Sequence, residues 1–156
     1  MRRAMKFIHT LASCGLIGAL LGYVIILLYA PQETPRSYAE ARLTISLLCD
    51  RIVVPSLGIA IVSGLLAMAA HRPFLDTRWA WLKAILGLSL FAATLAVVQA
   101  KATTAAAMAA RIAKGEPETA ALAEVLASEH WSVAAILALS VAQVVLGIWR
   151  PRLAKR

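Results

Sequence analysis

The chain has 156 residues, of which 61% are hydrophobic, and it carries a formal net charge of +8. An ordinary soluble domain is about 45–50% apolar, and the excess here is collected in long runs, which excludes that class. The basic residues flank the apolar runs instead of forming one stripe with interleaved aromatic residues. This distribution argues against nucleic acid as a partner and is typical of membrane spans.

Four apolar segments are long enough to cross a bilayer as helices. In chain order they cover about residues 5–29, 50–71, 79–99 and 130–149. The second is preceded by an amphipathic stretch from Ser37, the third continues as an alanine-rich helix to Gly115, and the fourth follows an amphipathic stretch from Glu118. We therefore predict a single all-α domain, an integral membrane four-helix bundle whose second, third and fourth helices extend beyond one membrane face.

The charges predict the orientation of these spans. The two termini and the connection between spans two and three carry ten basic residues and one acid. The opposite side carries six basic and seven acidic residues. Because basic residues accumulate in cytoplasmic segments, we predict that both termini are cytoplasmic. The protein would be a multi-pass protein of the bacterial inner membrane, with the long extensions in the periplasm and the lipid bilayer as its first partner.

The first span carries two different stripes of residues. Gly15, Gly18 and Gly22 lie on one side, and the last two form a GxxxG pattern that permits close helix contact. His9 lies on another side, in line with Leu20. Either this helix packs against protein on two sides, or the glycine side is the docking surface of a homo-oligomer or a larger membrane complex.

Three basic nitrogen-bearing side chains lie at one membrane face, on three different spans: His9, His71 and Lys83. An ionisable residue inside a membrane helix is a functional candidate, and neutral imidazole is a common axial ligand of haem. The alternatives are a headgroup-level histidine at position 9, a loop histidine at 71 and a lysine that snorkels to the headgroups. His130 lies at the opposite face beside Trp131, where interfacial anchoring is the simpler interpretation.

Neither the acidic residues nor any known catalytic motif in the sequence indicates a reaction. Nearly all eight acids are expected outside the membrane, which argues against a pump that depends on a buried carboxylate. Near the outer boundary, Asp50 and Arg51 are expected to pair with neighbouring residues, or with Arg42 and Glu124 on adjacent helices. The chain contains no nucleophile elbow, phosphate loop, HExxH or CxxC motif.

Several short stretches together carry a resemblance to known families. They are Lys6–His9 in the first span, Cys49–Pro55 and Ser63–Leu65 in the second, and Trp79–Lys83 in the third. Over residues 1–112 the chain resembles a bacterial family of small integral membrane proteins of unknown function. More loosely, it is similar to copper-resistance D-type proteins and to the four-helix membrane type of protoporphyrinogen oxidase. The last similarity implies haem b, with His9 and Lys83 at the positions of the functional histidine and lysine.

Two hypotheses of different class follow. In the first, the protein binds haem b as a redox protein or as a subunit of a redox complex. His9 would then be the axial metal ligand, His71 a second ligand, and Lys83 a cation for a propionate. In the second, the protein is a non-catalytic accessory subunit that docks through the glycine side of the first span. Transport is a weaker third alternative, because the chain has no broken-helix repeat.

Overall fold

The computed structural model describes residues 2–70, 77–117 and 119–149. Over these ranges the secondary structure is helical, and four long helices are present. They are α1 (Arg2–Tyr29), α2 (Pro35–Ala69), α3 (Arg78–Ile112) and α4 (Thr119–Trp149). Each is long and apolar enough to cross a membrane, which confirms the predicted all-α four-helix class. The orientation of the helices in the membrane stays a prediction.

The bundle is arranged around α2. Its second half, Val54–Ala69, packs along α1, and its first half, Pro35–Leu48, packs along the Ala100–Ile112 half of α3. The fourth helix closes the bundle by contacting α1 and both halves of α3. The connections are short, so successive helices run antiparallel.

Three helices are longer than the predicted spans, as expected for segments that project past the bilayer. The second begins at Pro35 and the fourth at Thr119, well before the apolar runs start, and the third continues to Ile112. Alanines line the contact between the projecting halves, and Ala102, Ala105 and Ala109 are buried there. Small side chains let the two backbones approach closely, which explains the alanine-rich composition of this stretch.

Two π-helical turns interrupt the regular α-helix at facing positions. They cover Cys49–Val53 in α2 and Thr94–Gln99 in α3, and they contact each other. In the first, the Val54 amide donates to the Cys49 carbonyl, five residues back. Pro55 follows at once and has no amide hydrogen, so regular α-helical pairing is lost there. The helix is therefore disturbed before this proline, in the form of a widened turn.

The outward surface of the bundle is apolar. Large hydrophobic side chains on all four helices are exposed, including Ile25, Val62, Ile85 and Ile148. A soluble monomer rarely exposes a continuous apolar surface of this kind, whereas hydrocarbon chains solvate it without cost. The lipid bilayer is thus the natural surrounding of these helices.

The glycines of α1 have unequal surroundings. A Cβ atom added at Gly15 would lie 3.1 Å from the Ser56 Oγ, and one at Gly22 would lie 3.7 Å from the Leu48 Cδ2. A Cβ at Gly18 would meet nothing within 4 Å. Because His9 and Leu20 also face the chain itself, α1 has two sides packed against protein. Gly15 and Gly22 therefore serve packing within the chain, and Gly18 is the member of the set left facing outward.

This difference predicts the effect of a bulky substitution. Gly15→Leu should lower the free energy of unfolding by about 1–3 kcal/mol, because overpacking forces α1 away from α2. Gly18→Leu, one turn further along the same helix, is the matched control and should leave it unchanged. Unfolding in detergent, followed by circular dichroism, makes the comparison. Equal stability of the two variants would contradict the contact between Gly15 and Ser56.

Candidate functional sites

The imidazole of His9 is held by α2. Its Nδ1 lies 2.8 Å from the Ala60 carbonyl oxygen and 3.2 Å from the Ser63 Oγ. A carbonyl only accepts, so Nδ1 carries the hydrogen, and in the neutral ring Nε2 keeps the lone pair. The ring lies over Gly64, where an added Cβ would come within 3.4 Å of its Cε1. The half-buried His9 is thus fixed in one orientation with one nitrogen left for a ligand.

An apolar groove adjoins this histidine on the outside of the α1–α2 contact. Its volume is about 510 Å³. It is lined by Met5, Ile8, Pro55, Gly58, Ile59, Val62, Ser63 and Leu66. Ser63 is common to the groove and to the hydrogen bonds of His9. The groove is open along much of its length, so a flat apolar molecule can enter it from the lipid side.

The side chain of Lys83 lies against α4. Its Nζ lies 2.6 Å from the position that a Cβ of residue 147 would take, so Gly147 provides the room for the ammonium group. The Gln143 amide donates to the Lys83 carbonyl at 3.3 Å. His9 contacts Ser63, near the end of α2, and α3, which carries Lys83 in its second turn, begins after a short connection. The structure therefore brings His9 and Lys83 to the same end of the bundle.

His130 does not join this pair in the described structure. His71 lies outside the described residues. His130 is exposed on α4, with its Nδ1 2.8 Å from the Leu126 carbonyl, and it borders a groove formed with Leu27 and Leu28 of α1. At about 1.5 Å per residue along α1, this places it roughly 28 Å from His9. In the described part of the chain, no three His, Cys, Asp or Glu side chains form a metal-binding cluster.

A second polar site, which the sequence analysis missed, lies inside the bundle. Arg42 of α2 and Glu129 of α4 are 1% and 0% exposed, and the Arg42 Nη2 donates to both carboxylate oxygens at 2.7 Å. The hydroxyl of Tyr23, on α1, donates to the Glu129 Oε1. Three helices are joined by these hydrogen bonds at one level. Each group alone would be costly to bury, but together the charges are paired.

This site corrects one expectation. Arg42 pairs with Glu129 rather than with Asp50, and the Asp50 Oδ1 instead accepts from the Gln99 Nε2 at 2.7 Å. Glu129, which the sequence pattern did not single out, is a carboxylate buried inside the bundle. It lies in the amphipathic stretch that precedes the fourth apolar run.

A signal for the missed residues was present in the sequence. The stripe of α1 that contains His9 and Leu20 reaches Tyr23 at the next step of three residues. On α4, the stripe of Ser132, Ile136 and Ser140 begins one step earlier, at Glu129. Following the first stripe to Tyr23, and extending the second past its apolar run to Glu129, would have marked both residues as inward-facing.

The fold and these sites define a class, that of a multi-pass membrane protein built as a four-helix bundle with internal polar sites at two levels. Residues 3–151 match the family described as predicted integral membrane protein (DUF2269), and the chain belongs to this family. The resemblance to small integral membrane proteins of unknown function is thereby confirmed. Among curated proteins and among solved structures, no significant match was found.

The buried ion pair predicts a large effect of removing one partner. Glu129→Gln should lower the free energy of unfolding by about 3–5 kcal/mol, since it leaves the Arg42 charge buried without a counter-charge. Glu124→Gln, at an exposed position of the same helix, is the control and should have no effect.

The same experiment has a second arm. The double variant Arg42→Met with Glu129→Leu should recover most of the lost stability, because no unpaired charge remains. Denaturant titration in mixed micelles measures all three variants. A Glu129→Gln protein as stable as the Glu124→Gln control would contradict the buried pairing.

Proposed function

We propose that this protein binds haem b in the bacterial inner membrane, as a redox protein or as a subunit of a membrane redox complex. The observation that carries the proposal is the state of His9. Its Nδ1 hydrogen is committed to the Ala60 carbonyl, which leaves Nε2 as the nitrogen that can coordinate iron. Ligating histidines in proteins commonly donate their other ring N–H to a carbonyl or carboxylate in this way.

The surroundings of His9 suit a porphyrin. The groove beside it is apolar and open on the outside of the bundle. Lys83, which lies against Gly147 at the same end of the bundle, would supply the positive charge that a propionate needs. When bound, haem b would supply one-electron chemistry, and the protein's part is to ligate the iron, pair the propionate and keep water from the ring.

The described residues offer a single histidine at this end. His9 would hold the iron, and His71 would supply a second ligand where one is needed. His130 is at the far end of the bundle and is not part of this proposal. The oxidase-type resemblance seen in the sequence implies the same two residues, His9 and Lys83.

A second candidate function is that of a non-catalytic accessory subunit, favoured by one observation. Gly18 lies on the outward side of α1, and a side chain added there would meet open space. A neighbouring helix can approach closely at such a position. In this case the protein should co-purify with a larger complex in mild detergent, and Gly18→Leu should release it.

Absorption spectroscopy tests the haem proposal directly. The detergent-purified protein, expressed with adequate haem supply, should show a Soret band, with α and β bands after dithionite reduction. His9→Ala should abolish these bands because the iron loses its ligand. His130→Ala is the matched control, since it also removes a histidine bonded to a backbone carbonyl, and it should keep the spectrum.

The other results are equally informative. A colourless wild-type protein would contradict the haem proposal and favour the accessory-subunit function. A spectrum that survives in His9→Ala and is lost in His130→Ala would move the haem to the other end of the bundle.

A further inference from the structure

The Arg42 guanidinium has more donors than its ion pair uses. A guanidinium presents five N–H bonds, and the two of Nη2 go to the oxygens of Glu129. The Nε and Nη1 atoms are also buried, and neither has a hydrogen-bond partner in the described part of the chain. Buried donors, above all charged ones, are almost always paired with an acceptor. The free edge of Arg42, formed by its Nε and Nη1 atoms, therefore needs a hydrogen-bond acceptor that the described side chains do not provide.

The charges around Arg42 indicate what kind of acceptor fits. Arg42 and Glu129 already neutralise each other, and Tyr23 adds a neutral hydroxyl. An anion placed on the free edge would leave a net negative charge inside the bundle, which is costly at low dielectric. Lys101 does not turn towards it, because its Nζ is held by the Ser128 carbonyl and the Ser132 Oγ of α4. A neutral oxygen meets the donors without adding charge.

A half-buried tyrosine lies on the same side of α2 as Arg42. Tyr38 lies one turn before Arg42 on α2, and residues four apart lie on the same side of a helix. Its side chain is partly exposed, whereas Arg42 and Glu129 are not. Tyr38 thus connects the buried pair with the surface of the projecting part of the bundle.

We propose that Arg42 and Tyr38 form a binding site for a small neutral hydrogen-bond acceptor, which bridges the free guanidinium edge and the tyrosine hydroxyl. Two sources have this chemistry. One is internal water, which typically makes about three hydrogen bonds to buried polar groups. The other is the carbonyl oxygen of a lipid-like amphiphile. The site lies at the opposite end of the bundle from His9 and is independent of haem binding.

Nuclear magnetic resonance of the full chain in phospholipid nanodiscs, with ¹⁵N-labelled arginine, tests the site. The Arg42 Nε–H signal is assigned as the one absent in Arg42→Lys, which keeps a cation for Glu129. Should that variant not fold, the Arg42 signal is identified by elimination, as the Nε–H signal that persists when each of the other arginines is replaced by lysine in turn. Tyr29→Phe is the matched control for Tyr38→Phe, because Tyr29 is 80% exposed, at the end of α1.

The expected result is an Arg42 Nε–H that exchanges slowly and shows a cross-peak to its ligand, weakened in Tyr38→Phe. A cross-peak at the water frequency identifies water. A cross-peak to lipid protons, lost when the lipid is deuterated, identifies an amphiphile. A signal with neither cross-peak would overturn the proposal, and so would a signal that shifts on titration with formate, since the ligand would then be an anion.

Discussion

An arginine and a glutamate that are both removed from solvent must lie opposite each other for this bundle to close. Arg42 and Glu129 come from helices far apart in sequence, and either one alone would be a costly charge in an apolar interior. Their pairing therefore determines the rotation of α2 and α4 about their own axes. Tyr23 adds α1 to the same level by donating to the carboxylate. The core residues Leu20, Tyr23, Ile45 and Val133, which lie around this level, are 0–1% exposed.

The two ends of the bundle are chemically different, and the difference follows from how the helices pack. At the end that holds His9, α1 lies on α2 through small residues, and the imidazole is oriented by a backbone carbonyl beside an open apolar groove. At the other end, the projecting halves of α2 and α3 meet through alanines and enclose a charged pair. The first arrangement leaves a nitrogen for a ligand at the lipid boundary. The second leaves guanidinium donors inside the protein.

Much of the architecture was predictable because hydropathy and helix periodicity are local. The four spans, the extended helices and the disturbance at Pro55 all follow from residues close together in sequence. The roles of His9 and Lys83 stay predictions, although the structure brings both to one end. The partner of Arg42 was not predictable in the same way. Glu124 and Glu129 are separated by roughly 140° around α4 at about 100° per residue, so the choice between them depends on how that helix is rotated in the bundle.

The sequence by itself determined that this protein crosses a membrane as four helices, since an apolar helix of such length has no other stable surrounding. It also determined which side chains were candidates for chemistry at the helix ends. Only the tertiary structure decided which of them meet. It oriented His9 on Ala60, directed Lys83 towards Gly147, and buried Arg42 against Glu129. The physical reason is that such contacts depend on the rotation and depth of one helix relative to another, which are set by packing over the whole bundle.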